Sequence, residues 1–412
     1  MDLHLDDSQT NSHSARVKSN TVLDDANISM DTDTPFVLGD GLLEKTGAVV
    51  IDMGTGTCKS GFAGQAMPMS TVPTVLGHLP EKASTVKEPQ LSTFIGEDAR
   101  AHPGLNLIQP LRNGIIVDWE AVETLWHHIF CNDLGVAPED HALLLSDPPF
   151  SPTTNREKLV EVVFESLHSP GMYVAYQSVL SVYAHGLISG LVIDTGHGVT
   201  HTVPVYQGYN LPHATERMDL AGAHLTAFLA ELLRGTGYSF GEQDTSLVES
   251  IKHQCCFVAS DFITEQNQAI IGSKNFQLPD GQIISLGKER FQCPELLFNP
   301  PEMPGLKPMG IPEMAKESLR KVPTEVCGDI SQHVLLCGGS SLFPGLEQRF
   351  VKELLQGASP QTNITVSAQP LRNFSVWIGG SILASLRAFQ SCWIQRAQYE
   401  EQGPYIVYRK CY

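Results

Sequence analysis

Two stretches of the chain repeat one pattern: Val49–Gly64 reads VVIDMGTGTCKSGFAG, and Leu191–Val205 reads LVIDTGHGVTHTVPV. In each stretch an apolar run ends in an aspartate, a Gly-x-Gly turn follows, and a second run continues from it. Such a turn exposes backbone N–H groups beside a carboxylate, and exposed N–H groups bind anions. A single copy is ordinary turn chemistry. Two copies predict a pair of hairpin tips that hold the phosphates of a nucleotide from both sides.

Charged residues and glycines elsewhere extend this prediction. Asp52 and Asp194 are expected to hold a divalent cation through its water shell, because oxygen ligands suit such a cation. Lys59 would add a positive charge near the first tip. Gly338 and Gly339 follow an apolar run and precede a helical pattern, a place where backbone can approach a nucleoside closely. The alternative for these two glycines is a tight strand-to-helix turn.

The bulk composition excludes several classes of partner and location. The chain has 412 residues and a net charge of −18, so it lacks the general attraction that nucleic acid or an anionic membrane requires. Its nine cysteines form no CxxC pair, which favours reduced thiols and a cytosolic or nuclear protein. The N-terminus has no basic and apolar leader, and no long apolar run occurs, so neither secretion nor a membrane span is expected.

The chain divides into a polar tail and a long region of alternating patterns. Residues 1–44 are rich in Asp, Ser, Asn and Thr, and they predict a disordered tail because they cannot bury enough apolar surface. Beyond Gly47, apolar runs alternate with amphipathic stretches, which indicates an α/β fold. Strands are expected over 142–149 and 172–176, helices over 119–134, 151–167 (Ser151 as N-cap, Pro152 first), 221–235 and 245–262, and a hairpin turn at Asp280–Gly281. The helical stretch 374–394 is expected to pack with the first part of the chain.

Many ordered segments resemble the actin family: DMGTGTCKSGFAG from Asp52, SPTTNREK from Ser151, MYVAYQSVLSVYAHG from Met172, FSVWIGGSILASL from Phe374 and YIVYRKCY from Tyr405. The resemblance covers the chain from about Gly47 to Tyr412. It implies the fold shared by actins, hexokinases and heat-shock chaperone ATPases, in which two duplicated α/β domains surround a nucleotide cleft. Four subdomains follow: 45–73, 110–184 and 375–412 (first), 74–109 (second), 185–220 and 308–374 (third), and 221–307 (fourth). The two chain ends look most like those of testis-enriched actin relatives.

The resemblance also implies a set of site residues. Gln177 and His201 match the residues that orient the attacking water in the family, and they are catalytic only if ATP is hydrolysed. Asp52 and Asp194 match the aspartates that hold Mg²⁺ or Ca²⁺ through water, with ATP or ADP as the ligand. The implied nucleotide contacts are Gly54, Thr55, Gly56, Thr57, Lys59, Gly196, His197, Gly198, Val199, Lys252, His253, Gly339, Leu342 and Phe343.

The pocket departs from the actin pattern at five positions. Met53 stands where actin has Asn, and His197 and His224 each replace an Asp. His253 replaces a Glu expected at the ribose, and Asn373 replaces a Lys expected at the adenine. Each lost polar contact removes about 1–3 kcal/mol, so we expect ATP binding to be weakened or lost, with little turnover. The alternative is neutral drift at the solvated edge of the pocket.

Assembly and partners are inferred from the same resemblance. The segment 77–94 and the plug NPPEMPGLKPMG (299–310) differ from the actin sequences that join subunits, and the extra prolines stiffen the plug. Free polymerisation is therefore not expected. A groove that receives partner helices in actin keeps Tyr183, Gly186, Tyr209, Leu383 and Leu386, which are equally suited to be core residues.

Together these features predict a non-polymerising structural or scaffold protein of the male germ-cell cytoskeleton, in the cytoplasm and, by resemblance, in the perinuclear or acrosomal region of the sperm head. Its partners are expected to be cytoskeletal or actin-related proteins, with no nucleic acid. The alternative is an actin-like ATPase that hydrolyses ATP slowly and cycles between conformations or forms filaments.

Overall fold

A computed structural model of the protein describes residues 47–79, 93–268, 272–301, 309–356 and 363–411. The predicted disordered tail over 1–44, most of the segment 77–94 and the centre of the plug segment lie outside these described residues. Its strands, in chain order, are β1 (Val49–Met53), β2 (Thr57–Phe62), β3 (Ser70–Pro73), β4 (Leu76–His78), β5 (Phe94–Ile95), β6 (Asn106–Ile108), β7 (Leu111–Arg112), β8 (Ile115–Ile116), β9 (Leu143–Asp147), β10 (Gly171–Tyr176), β11 (Gly190–Thr195), β12 (Thr200–Tyr206), β13 (Tyr209–Asn210), β14 (Glu216–Met218), β15 (Lys274–Gln277), β16 (Ile283–Leu286), β17 (His333–Cys337), β18 (Thr365–Ser367) and β19 (Ile394–Gln395).

The helices are also numbered in chain order. They are α1 (Glu97–Ala101), α2 (Trp119–His128), α3 (Thr153–Glu161), α4 (Gln177–Ala184), α5 (Gly222–Gly235), α6 (Thr245–Cys255), α7 (Phe262–Gln266), α8 (Glu289–Glu295), α9 (Ile311–Lys321), α10 (Thr324–Ser331), α11 (Leu346–Leu354), α12 (Ser375–Ser385), α13 (Arg396–Gln402) and α14 (Val407–Lys410). Two π-helical turns, Ile129–Leu134 and Val162–Ser166, extend α2 and α3. Short 3-10 turns include Gly339–Leu342 and Arg372–Phe374.

Two large sheets share one topology, which is the structural form of the sequence repeat. The first sheet has the order β19-β10-β9-β1-β2-β3, and the second has the order β13-β12-β11-β17-β18 with β14 paired to β12. In each sheet the repeated segment forms an antiparallel hairpin, β1–β2 or β11–β12. A later strand, β9 or β17, pairs in parallel with the first hairpin strand, and a second later strand, β10 or β18, pairs in parallel with that one. The α/β expectation is confirmed, and the smaller β5-β4-β6 sheet and the β7–β8 and β15–β16 hairpins complete the set in the described residues.

The parallel strands β1 and β9 are buried on both faces, because apolar clusters lie on either side of the sheet. Every residue of Val49–Met53 and of Leu143–Asp147 is buried. Helix α12, from near the C-terminus, packs on α4 and on β1, and the Trp377 Nε1–H donates to the Val50 carbonyl at 3.0 Å. The expected packing of the last part of the chain against the first is therefore confirmed.

Two local predictions are wrong. Helix α3 begins at Thr153 with Pro152 as its N-cap, and the Ser151 hydroxyl instead hydrogen-bonds the buried Asp147 carboxylate. The helix predicted over 245–262 ends at Cys255, because the amides of Phe257 and Val258 donate to carbonyls outside the helix. Hydrogen bonds to groups outside the helix set both boundaries. None of the helices in the described part of the chain combines the length and apolar character that a bilayer crossing requires.

Helices α4 and α12 approach closely enough to require a glycine, and this generates a first prediction. A Cβ at Gly379 would lie 1.7 Å from the Leu180 carbonyl oxygen, whereas one at Gly328 in α10 would meet nothing within 4 Å. We expect Gly379→Ala to lower the free energy of unfolding by about 3 kcal/mol. The control Gly328→Ala should raise it by about 0.5–1 kcal/mol. Chemical denaturation measures both, and equal midpoints for Gly379→Ala and the parent would contradict the close approach.

Candidate functional site

The two hairpin turns are built alike. In the first, the Gly54 amide donates to the Thr57 carbonyl at 3.1 Å, and in the second the Gly196 amide donates to the Val199 carbonyl at 3.1 Å. The aspartate before each turn faces one residue of the returning strand: Asp52 lies opposite Lys59, and Asp194 lies opposite His201. The two hairpins therefore share the same strand register as well as the same sequence pattern.

The two tips touch each other. A Cβ at Gly56 would lie 2.7 Å from the His197 Cβ, and a Cβ at Gly198 would lie 2.6 Å from the Thr55 hydroxyl. Only glycine permits this approach, since any other residue would push the tips apart. The structure thus places the tips on a shared crevice, as the repeat predicted.

A cavity of about 570 Å³ opens beside the tips, within the size range of small-molecule sites. Its wall contains every residue predicted to be catalytic, metal-holding or nucleotide-binding: Asp52, Gly54, Thr55, Gly56, Thr57, Lys59, Gln177, Asp194, Gly196, His197, Gly198, Val199, His201, Lys252, His253, Gly339, Leu342 and Phe343. We call this cavity the cleft. The individual roles of these residues remain predictions.

One positively charged side chain, that of Lys59, interacts with both aspartates of the cleft. The Asp52 carboxylate accepts from Lys59 Nζ at 2.8 Å and from the Ser146 hydroxyl at 2.7 Å. Burial alone would lower the pKa of Lys59, but the charge and hydrogen bond of Asp52 raise it above its usual value. Burial, and then the charge of Asp52, raise the pKa of Asp194 to about 6. A second positive charge would satisfy this site, and two carboxylates with water suit Mg²⁺ or Ca²⁺.

The two predicted catalytic residues occupy different environments. Gln177 begins α4 and its side-chain amide donates to the Ser146 hydroxyl at 3.4 Å, so it lies beside the Asp52 pair. His201 in β12 is only 2% exposed, and burial, helped by Arg217, lowers its pKa to about 3. Its Nε2 has no hydrogen-bond partner within the described residues. A neutral imidazole with one free nitrogen can orient a water molecule.

Lys252, predicted to contact the nucleoside, is occupied by protein groups. Its ammonium is 2% exposed and donates to the Gly222 carbonyl at 2.8 Å and to the Thr226 hydroxyl at 2.7 Å. A third partner, the Glu249 carboxylate, lies 3.8 Å away. An ammonium has three donors, so protein groups use two of them and the Glu249 carboxylate neutralises part of the charge.

The positions that depart from the actin pattern behave differently from one another. His253 lines the cleft, and burial followed by the charge of Lys252 lowers its pKa. Asn373 and Met53 also line it. His224 does not: its Nδ1 accepts from the Ala221 amide at 3.3 Å and so caps the start of α5. The replacement of the actin Asp by His224 therefore affects the start of helix α5 rather than contacts with a ligand.

Three charged residues of the cleft were missed from the sequence: Arg100, Glu249 and Arg372. Glu249 precedes Lys252 by one helical turn, and that spacing would have placed it on the same face. Arg372 donates to the Ser341 hydroxyl and carbonyl at 2.9 and 2.8 Å. Arg100 lies in α1, beside the small sheet, and nothing in its local sequence indicates the cleft.

The cleft fits the phosphates of a nucleotide better than it fits the nucleoside. The amides of Thr55, Gly56, His197 and Gly198 donate to no carbonyl of the described backbone, so they are available to an anion. A bound nucleotide would supply that anion. Lys252, which the resemblance assigns to the nucleoside, already has two of its donors bound by protein groups.

The predicted partner groove lies around the ends of α4 and α12. Tyr183 packs against apolar clusters of both sheets, which places it where the two halves meet. Tyr209 is 53% exposed and Leu386 46% exposed, Gly186 is also exposed, and Leu383 is half-buried. Ile188 and Ile382 add exposed apolar side chains from neighbouring positions of the chain.

Comparisons with known proteins agree with this architecture. A family model for actin matches residues 43–412. Actin-like protein 9 of Homo sapiens is 66% identical over 387 residues, covering 94% of this chain and 93% of that protein. Actin-like protein 9 of Bos taurus is 64% identical over 388 residues, with 94% and 93% covered. Actin-like protein 7A of Mus musculus is 43% identical over 372 residues, with 90% and 84% covered.

The buried neutral His201 generates a pH prediction. Its folded pKa of about 3 lies below the unfolded value of 6.5, so it favours the folded state above pH 6.5, and this contribution falls as the pH decreases toward 3. Between pH 7.5 and 5 the loss amounts to about 2 kcal/mol. His201→Gln cannot titrate, so its free energy of unfolding should fall less than that of the parent, by this amount. Denaturation of both nucleotide-free proteins at both pH values measures the difference, and parallel pH profiles would contradict a buried neutral His201.

Proposed function

Since the chain belongs to the actin family, we propose that this actin-related protein is a structural scaffold that binds other proteins. In this proposal it does not polymerise freely, and it turns ATP over weakly or not at all. Nucleotide, with Mg²⁺ or Ca²⁺, is at most a structural ligand held at the tips. The subdomain boundaries expected from the sequence form part of the same proposal.

One observation carries the proposal of weak nucleotide binding: two of the three donors of Lys252 are hydrogen-bonded to protein groups, and its charge is paired with the Glu249 carboxylate. A ligand could use more than one donor of this lysine only by breaking a buried hydrogen bond, which costs about 1–3 kcal/mol for each group left unpaired. Nearby, His253 and Asn373 replace charged residues of the actin pattern. Weak binding at the nucleoside end would leave the phosphates as the main contact.

The proposal of a non-polymerising protein is supported by sequence and not by a described contact. The plug segment 299–310 carries four prolines and a glutamate. Proline fixes the backbone and removes amide donors, so this segment is stiff and poorly suited to insert between subunits. The exposed apolar side chains of Tyr209 and Leu386 instead suit a groove for an amphipathic helix of a partner.

We further propose that the protein acts in the male germ cell, in the cytoplasm and cytoskeleton and in the perinuclear or acrosomal region of the sperm head. Cytoskeletal or actin-related proteins are the proposed partners. Support comes from the resemblance to testis-enriched actin relatives. Proximity labelling in spermatids tests it, and an absence of cytoskeletal proteins among the labelled neighbours would contradict it.

A second candidate function is a slow ATPase. It is favoured by the unpartnered Nε2 of His201 and by Gln177, which line the same cleft as both aspartates. In this alternative Gln177 and His201 orient the attacking water, and the cleft cycles between conformations or the protein forms filaments. The two functions differ in affinity, turnover and assembly.

ATP binding and turnover give the first test. We expect the purified protein to bind ATP–Mg²⁺ with a Kd weaker than about 10 μM, because contacts at the nucleoside end are missing. Single-turnover assays with labelled ATP should show no hydrolysis that depends on Gln177. The matched control is Gln177→Ala, which should behave like the parent. Tighter binding together with hydrolysis abolished by Gln177→Ala would establish the ATPase instead.

Sedimentation gives the second test. In KCl, MgCl₂ and ATP, under conditions that polymerise actin, we expect the protein to remain in the supernatant after high-speed centrifugation. Actin in a parallel tube is the positive control. Pelleting of this protein with filaments visible by electron microscopy would overturn the non-polymerising proposal.

A further inference from the structure

Glu249, in the middle of α6, joins three separate parts of the chain. Its carboxylate lies 3.3 Å from His197 Nδ1 on the second tip and 3.6 Å from Arg100 Nη1 on α1. The third partner is Lys252 Nζ, at 3.8 Å, one turn further along α6. Apart from Lys252, these partners come from other elements, so the cluster is not a simple pair along one helix.

The elements joined in this way stand around the cleft. Helix α1 packs against β4 and β5 of the small sheet, and α6 packs against α5 and α8. His197 in turn packs against Gly56 of the first tip. A chain of contacts therefore runs from the first tip through His197 and Glu249 to Arg100 and the small sheet.

The Glu249 carboxylate is shielded and charged. Its side chain is 15% exposed, so its ion pairs are less screened than surface pairs. Burial would raise the pKa of Glu249, but the hydrogen bond and charge of His197, with Lys252 and Arg100, lower it to about 2. Glu249 is therefore an anion at neutral pH, in the wall of a cleft whose tips present anion-binding N–H groups.

A nucleotide in this cleft would be an anion in contact with groups from several sides. Glu249 already supplies negative charge to His197, Lys252 and Arg100. A second anion beside it would be repelled by Coulomb interaction in this partly buried setting. The same carboxylate thus binds the cations of the cleft and disfavours an anionic ligand.

We propose that Glu249 is an internal anion that holds the tips and the small sheet together without a bound nucleotide. The inference rests on the proposed weak binding of nucleotide and deepens it by naming the group that takes the ligand's place. Glu249 acts here as a positioning residue and not as a catalytic one.

Hydrogen–deuterium exchange of the nucleotide-free protein tests this proposal, with chromatography to verify that no nucleotide remains. In the parent, the hydrogen-bonded amides of Gly54 and Gly196 in the two tips should exchange slowly, and 1 mM ADP–Mg²⁺ should change their rates less than twofold. In Glu249→Gln, which keeps the shape and removes the charge, the same amides should exchange at least about tenfold faster. The matched control is Glu97→Gln, because Glu97 is an exposed partner of Arg100 at 4.0 Å within α1. Exchange of the tip amides in Glu97→Gln should match that in the parent.

Two results would overturn the proposal: rapid tip exchange in the nucleotide-free parent that ADP–Mg²⁺ slows tenfold, or equal exchange in Glu249→Gln and the parent. Slow exchange in α12 verifies that a variant is folded. If Glu249→Gln does not fold, Arg100→Gln replaces it, and faster exchange at Leu76–His78 is then expected while unchanged exchange contradicts the proposal. These readouts use no ATP turnover, so an active ATPase would refute the proposed function without deciding the role of Glu249.

Discussion

The contact between two glycine-bearing tips is the constraint on which the rest of the structure depends. Gly56 meets His197 and Gly198 meets Thr55 at distances that exclude a side chain. Each tip is the turn of one hairpin, and each hairpin belongs to one of the two large sheets. The contact between the tips therefore fixes how the two halves of the protein face each other. The cleft, its aspartates and its unpaired amides are consequences of that meeting.

The two halves repeat in backbone but differ in charge. Opposite the first aspartate the returning strand places Lys59, and opposite the second it places His201, which burial keeps neutral. One lysine therefore serves two carboxylates, and Asp194 is left with a raised pKa. The asymmetry makes the cleft suited to a divalent cation beside the two aspartates, while Glu249 supplies negative charge next to His197 of the second tip.

Local patterns were sufficient to predict most of the architecture. The repeated Asp-Gly-x-Gly stretches predicted the paired hairpins, and apolar runs such as Leu143–Asp147 predicted buried strands. The N-cap predicted at Ser151 was wrong because its hydroxyl bonds Asp147, and the helix end predicted at residue 262 was wrong because Phe257 and Val258 donate to distant carbonyls. The role of Lys252 depends on which acceptors lie near it in space, and Arg100 reaches the cleft from a remote segment. Such relations are tertiary, so no local pattern contains them.

The place of β19 at the edge of the first sheet has a consequence for synthesis of the protein. Strands β11–β18 lie in one continuous stretch of chain, so the second sheet can assemble while the C-terminal residues are still inside the ribosome. The first sheet is completed later, because α12, which packs on β1, and β19, which pairs with β10, follow the second sheet in the chain. Until then the nascent chain exposes the edge of β10 and the bare face of α4, and exposed edges and apolar faces are what chaperones shield from aggregation.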